Sequence, residues 1–153
     1  MSRRPSPLDS EQCRQCSSFS DYVRQTKKKD SEAFVEMPRR PDCPLDKDEL
    51  GSKTWGFLHT MAAKYPKKPD ASQQKEMKTF FTIFSKFYPC DHCAEEFREE
   101  LKQFPPKTES QEALSQWLCK IHNVINVKTG KKEFDCTKVN QRWRDGWIDG
   151  SCD

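Results

Sequence analysis

Long apolar runs are missing from this sequence. Nothing in it approaches the roughly 20 consecutive apolar residues that a membrane-spanning helix needs, so a helical membrane protein is excluded. Apolar residues are scarce altogether: 33% of the 153 residues are hydrophobic and only five are glycine, below the roughly 45–50% apolar content of ordinary globular domains. One modest core is all that such a chain can bury. Charge of one sign is lacking too. The 27 Lys and Arg stand against 24 Asp and Glu, which is not the basic surface of a nucleic-acid binder. Residues 1–20 have no apolar core of a secretory signal, and Asp9 and Glu11 break the acid-free pattern of a matrix-targeting presequence. Strand alternation of useful length is absent as well.

What the chain does have is eight cysteines. An even set of that size points to disulfides or metal, and the disulfides would require an oxidising compartment. The apolar residues are also unevenly placed, with eleven in residues 1–42 and 40 in 43–153. Pro5, Pro7, Pro38, Pro41 and the run Lys27-Lys28-Lys29 fill the first part, which reads as a disordered N-terminal arm ahead of an ordered domain at 43–153.

Within that domain four segments show helical period, which predicts an all-α fold. The first runs from Pro44 to Tyr65, with Leu50, Thr54, Phe57, Leu58, Met61 and Tyr65 as its stripe and Trp55, His59 and Ala62 beside it. Asp70 and Gln73 form a capping box for the second, whose Met77, Phe80, Phe81, Phe84, Phe87 and Tyr88 make an aromatic face for the core. Pro89 stops it. Cys90-Asp91-His92-Cys93 then opens a third, carrying Ala94, Phe97, Leu101 and Phe104. Thr108 and Gln111 are the capping pair expected for a fourth, with Leu114, Trp117, Leu118, Ile121 and Ile125, ending near Gly130. A short fifth helix from Thr137 would carry Val139, Trp143 and Trp147. Short loops between antiparallel helices suit a four-helix bundle.

Cys90-x-x-Cys93 is the sharpest chemical signal. At a helix N-terminus, unpaired N–H groups and the positive end of the dipole stabilise thiolate, so such a pair can cycle between dithiol and disulfide. A c-type haem site would need His directly after the second cysteine, where Ala94 stands. A zinc site would need a second pair, and Cys13-x-x-Cys16 lies more than seventy residues away. That arm pair is either incidental or a tethered shuttle that carries electrons to a fixed site. Cys119 and Cys136 suit a structural bridge that clamps the fifth helix, stabilising by about 3 kcal/mol through loop closure. Cys43 and Cys152 could close the domain on itself or cross to a second subunit; spacing does not separate the two.

Together, Cys90/Cys93, the string Cys119-Lys120-Ile121-His122-Asn123-Val124-Ile125-Asn126, Trp55 four residues before His59, and the ending Arg142-Trp143-Arg144-Asp145-Gly146-Trp147 make the chain resemble the Erv/ALR family of FAD-linked sulfhydryl oxidases. The arm resembles that of the family's long forms, with Cys13/Cys16 in the shuttle place. The resemblance implies a four-helix bundle with a fifth helix, FAD at the bundle mouth, and a homodimer. It makes Cys93 the shielded, flavin-proximal sulfur and Cys90 the exposed one that exchanges with the incoming dithiol.

Taken alone, His59 and His122 would be satisfied structural residues; the resemblance makes them cofactor contacts. It implies Trp55, His59 and Tyr88 at the flavin end. His122, Asn123, Asn126, Val127, Lys128 and Lys131, with Cys119 beside them, would face ribose, adenine and phosphates. Trp143 would stack on adenine with Arg142 in support, and Lys47 and Gly51 are further contacts. Cys119–Cys136 is then the structural disulfide, and Cys43 pairs with Cys152 of the partner subunit. The implied partners are an import oxidoreductase of the mitochondrial intermembrane space as thiol substrate, and oxygen or cytochrome c as electron acceptor, with cytosolic or secreted forms left open. Rival readings are a disulfide-stapled helical signalling protein without catalysis and a zinc-binding adaptor.

Overall fold

A computed structural model describes residues 42–152. The predicted arm, with Cys13 and Cys16, lies outside them. Four α-helices follow in order: α1 (Lys47–Ala63), α2 (Ala71–Phe87), α3 (Asp91–Gln103) and α4 (Gln111–Lys128). A 3-10 turn at Cys136–Lys138 and a wide, π-type turn at Gln141–Asp145 complete the described fold. Strands are absent among the described residues.

Local chemistry sets the helix starts. Asp70 caps α2 by accepting from the Gln73 N–H at 2.8 Å while the Gln73 side chain accepts from the Asp70 N–H at 3.0 Å, the capping box expected from sequence. Two other starts differ from expectation. Asp46, three residues before Glu49 and accepting its N–H at 2.9 Å, begins α1 at Lys47 rather than at Pro44. Ser110 takes the cap of α4, accepting from the Ala113 N–H at 3.1 Å. Gln111 thereby becomes the first helical residue, and Thr108 is buried ahead of the helix.

One core joins all four helices: Leu58, Ala62 and Tyr65 from α1 and its end, Phe81 from α2, Phe97 from α3, and Leu114, Trp117, Leu118 and Ile121 from α4. Each large side chain fully buried there contributes roughly 1.5–3 kcal/mol. Phe81 meets Trp117 edge-on at 4.8 Å, and Phe84 meets Phe97 edge-on at 5.8 Å. The aromatic face of α2 is thus central, but Phe87 at its end is 79% exposed. The stripe of α1 is also rotated from expectation. Phe57 points outward while His59 is 3% exposed, because α1 packs on α4 through the Trp55–Leu58–His59–Ala62 face.

The expected fifth helix is a mixed helical segment instead. Gln111, buried at the start of α4, donates to Ser115 Oγ and Asn140 Oδ1 at 3.0 Å each and accepts from Arg144 Nη1 at 3.0 Å. These bonds pin the segment against α4 while Val139 fills the core side. Gly146, at φ 84°, ends it and leaves Trp147 outside the helical turns. A side chain there would be strained and would meet Cys152 Cβ at 3.3 Å, so glycine is what lets the chain turn back. No helix among the described residues is long and apolar enough to cross a membrane.

Candidate functional site

Cys90 and Cys93 form a disulfide at the corner between α2 and α3. Cys90 is the N-cap of α3 in extended backbone, and Cys93 is the third helical residue, so the bond lies over the first-turn N–H groups as the spacing predicts. Arg98 braces this corner by donating from Nη1 to the Ser85 carbonyl at 2.7 Å, tying α3 to the last turn of α2. The burial of the two cysteines runs against the expected order. Cys90 is 1% exposed and Cys93 is half-buried. The cap position is enclosed where the two helices meet, whereas the third position has climbed out onto the helix side.

Tyr88 links this corner to α1. Its phenol is hydrogen-bonded with Thr54, and burial raises its pKa above the usual value. One residue on from Thr54 begins a cluster of rings. Trp55 stacks on His122 at 4.1 Å, and His59 stacks on Trp143 at 4.8 Å. His59 Nε2 lies 3.0 Å from His122 Nδ1, so one nitrogen donates and the other accepts. Arg142 places its guanidinium 4.5 Å above the Trp143 ring. Burial drives the His59 pKa down to about 3, helped by His122 and Arg142. Burial and Lys131 lower His122 to about 4. Both imidazoles are neutral at physiological pH, and His59 Nδ1 is buried with no hydrogen-bond partner among the described residues.

The residues expected at two separate ends of a cofactor therefore meet in one place. Trp55 and His59 of the first set stack on His122 and Trp143 of the second. Lys47 and Gly51 fall at four-residue spacing on the same face of α1 as Trp55 and His59. Farther along α4, Lys120, Asn123, Val124, Val127 and Lys128, with Glu133, line an open groove of about 410 Å3. Asn123 is committed to the backbone: its amide donates to the Phe134 carbonyl and accepts from the Phe134 N–H, each at 2.8 Å. Asn126 donates to Asn123 Oδ1 at 3.3 Å, and the Asn126 carbonyl accepts from the Lys131 N–H at 2.7 Å. The loop after α4 is thus shaped by Asn123 and Asn126.

Cys119, buried on α4, is bonded to Cys136, the structural bridge expected from the sequence. Among the described residues, Cys43 and Cys152 have no disulfide partner. Among the described residues, no group of three or more His, Cys, Asp or Glu is placed to hold a metal ion.

A family model described as Erv1 / Alr matches residues 52–144. The chain belongs to the Erv1/Alr family. An Arabidopsis thaliana protein named FAD-linked sulfhydryl oxidase ERV1 is 49% identical over 100 residues, 65% of this chain and 52% of that protein. The mitochondrial FAD-linked sulfhydryl oxidase ERV1 of Saccharomyces cerevisiae is 44% identical over 104 residues, 68% of this chain and 55% of that one. This chain thus spans about half the length of these two curated relatives. The crystal structure of the FAD-binding domain of Erv1 from Saccharomyces cerevisiae overlays with a TM-score of 0.66 at 43% identity, covering 68% of this chain and 99% of that domain.

Sequence reasoning missed several members of the site. Glu100, 5% exposed on α3, holds Lys128 by an ion pair of 2.8 Å. Its one available signal is position, since it falls three residues after the buried Phe97. Arg144 and Gln111, which seat Trp143, are polar residues whose partners lie 33 positions apart.

Proposed function

We propose that this chain is an FAD-dependent thiol oxidase that turns two thiols into a disulfide and passes the electrons to oxygen, 2 R–SH + O2 giving R–S–S–R + H2O2, or to cytochrome c. The observation that carries the reading is the Cys90–Cys93 disulfide at a helix N-terminus, tied through Tyr88 and Thr54 to the ring cluster of α1 and α4. The names of the relatives support it.

The residues present fit FAD. Two flat ring systems call for aromatic faces, which Trp55, Tyr88 and Trp143 supply, and the buried, unpartnered Nδ1 of His59 is a polar group suited to a ring heteroatom. Neutral His122 sits beside them, and Lys128 and Lys131 offer charge to a pyrophosphate. Asn126 and Val127 border the same region, while Asn123 acts through the backbone it holds. When bound, FAD supplies a two-electron acceptor that can pass its electrons to oxygen or, singly, to cytochrome c.

The protein's part is thiol exchange. A substrate thiolate attacks Cys90, and Cys93 leaves as a thiolate, held by the first-turn N–H groups of α3 and the positive helix end. The second substrate thiolate then attacks the mixed disulfide, releasing Cys90. Two protons and two electrons have left the substrate, and the electrons rest on the Cys90/Cys93 dithiol until it is reoxidised. Because Cys90 is 1% exposed, exchange with a protein requires the Tyr88–Cys90 corner to open.

The relay assigned to Cys13 and Cys16 would present substrate electrons at that corner, and the reading places the chain in mitochondria, in the intermembrane space, with an import oxidoreductase as thiol donor. Cys43, without a disulfide partner among the described residues, would bond to Cys152 of the partner subunit in a homodimer. Non-reducing electrophoresis should show that dimer, and Cys43→Ser should abolish it.

Oxygen uptake by the purified full-length chain tests the activity. With dithiothreitol, a yellow, flavin-releasing protein should consume oxygen and form peroxide. Cys13→Ser/Cys16→Ser should slow the protein substrate while sparing dithiothreitol. A colourless chain without uptake overturns the reading and leaves the stapled signalling protein.

A further inference from the structure

Glu100 has no role in the thiol chemistry, yet it is a buried carboxylate on the helix that begins with Cys90 and Cys93. Its side chain is 6% exposed, and its charged partner among the described residues is Lys128, at 2.8 Å and 28 residues away on α4. A carboxylate at that depth without a partner would cost several kcal/mol, so the fold itself demands the lysine. Lys128 in turn is 43% exposed and lines the groove formed with Lys120, Asn123, Val124, Val127 and Glu133. One end of the pair is fixed in the core and the other faces open space.

We infer that Glu100 is a positioning residue: it holds the Lys128 ammonium at the groove so that the lysine meets the cofactor's phosphates already ordered. The inference rests on the FAD reading above. Its physical basis is twofold. An ammonium has three donors, so a bond to Glu100 leaves two for phosphate oxygens. A free lysine must give up its rotamer freedom on binding an anion, whereas one already tethered has largely done so. The pair also spans from α3 to the last residue of α4, so the helix of the redox disulfide and the cationic wall of the groove are joined by one contact.

The test is the dissociation constant for FAD, measured by fluorescence titration of the full-length chain after its flavin has been stripped. Glu100→Ala should weaken binding by roughly three- to tenfold, the cost of ordering one long side chain. Glu100→Gln keeps an acceptor oxygen for Lys128 and should lose less. Both substitutions remove the buried charge, so neither leaves an unpaired carboxylate to unfold the protein. In a Lys128→Met background, Glu100→Gln and Glu100→Ala should bind FAD equally well, because Glu100 acts only through the lysine.

Three results overturn the inference. Unchanged affinity in Glu100→Ala would show that the tether is irrelevant to binding. Tighter binding would show that the carboxylate competes with phosphate for the lysine. A persistent Ala-to-Gln difference in the Lys128→Met background would assign Glu100 a purely structural effect. A wild-type chain that takes up no FAD removes the FAD reading and this inference together, an outcome distinct from the other three.

Discussion

Cys90–Cys93 and Cys119–Cys136 are joined by the same bond, but the chain around each differs. The first spans three positions and encloses almost no backbone, at a helix N-terminus that stabilises a released thiolate. Opening it costs little folding entropy, so the pair can cycle while the bundle stays intact. The second spans 17 positions and ties the buried face of α4 to the turn that starts the C-terminal segment. Cys119 is 2% exposed, and Asn123 encloses Cys136 by donating to the Phe134 carbonyl and approaching Cys136 Sγ at 3.6 Å. The comparison teaches that backbone setting suits the first bond to the electron-carrying role proposed for it and the second to holding structure.

The largest effect that could break this division concerns the redox pair. Cys93→Ser should lower oxidase turnover by more than about a thousandfold, over 4 kcal/mol in barrier terms, with little change in melting temperature. Offered the substrate in its disulfide form, the same variant should be trapped as a mixed disulfide through Cys90, the substrate's other sulfur leaving as thiolate. Trapping on Cys93 in Cys90→Ser instead would swap the two roles, in line with the greater exposure of Cys93.

Removing the other bridge should do the opposite. Cys119→Ser/Cys136→Ser should destabilise the chain by about 3 kcal/mol in denaturant unfolding while the molecules still folded retain turnover. Loss of turnover without loss of stability would put this bridge on the electron path.

An effect graded with pH sharpens the comparison by probing the ring cluster of Trp55, His59, His122 and Trp143. His59 and His122 have folded pKa values of about 3 and 4, lowered from 6.5 chiefly by burial. As pH falls below 6.5, the unfolded chain binds protons that the folded cluster refuses, so stability present above that value is lost as pH drops toward 4. Thermal melts across this window should show the decline, and His122→Asn should make it shallower. An equal slope in both proteins would place the titration elsewhere.

Much of this was legible because it is local. The Asp70/Gln73 box needs two residues three apart, and Cys90-x-x-Cys93 after Pro89 announces its own helix start. The face of α1 was harder. Stripes through Phe57 and through Trp55, Leu58 and His59 both have helical spacing, and only packing against α4 chooses between them. The ion pair of Glu100 and Lys128 and the seating of Trp143 by Gln111 and Arg144 depend on side chains about 30 residues apart, which no pattern along the chain encodes. The resemblance supplied the members of the site, but the convergence of Trp55, His59, His122 and Trp143 on one cluster came from the packing.

The division of labour between the disulfides is tested most directly by adding a few equivalents of dithiothreitol without oxygen, enough to reduce the flavin as well as one disulfide, alkylating, and locating the labelled cysteines by mass spectrometry. Label is predicted on Cys90 and Cys93, with none on Cys119 and Cys136, and it should vanish from the first pair when oxygen is admitted before alkylation. Label on Cys119 and Cys136 with Cys90 and Cys93 still bonded would contradict the account.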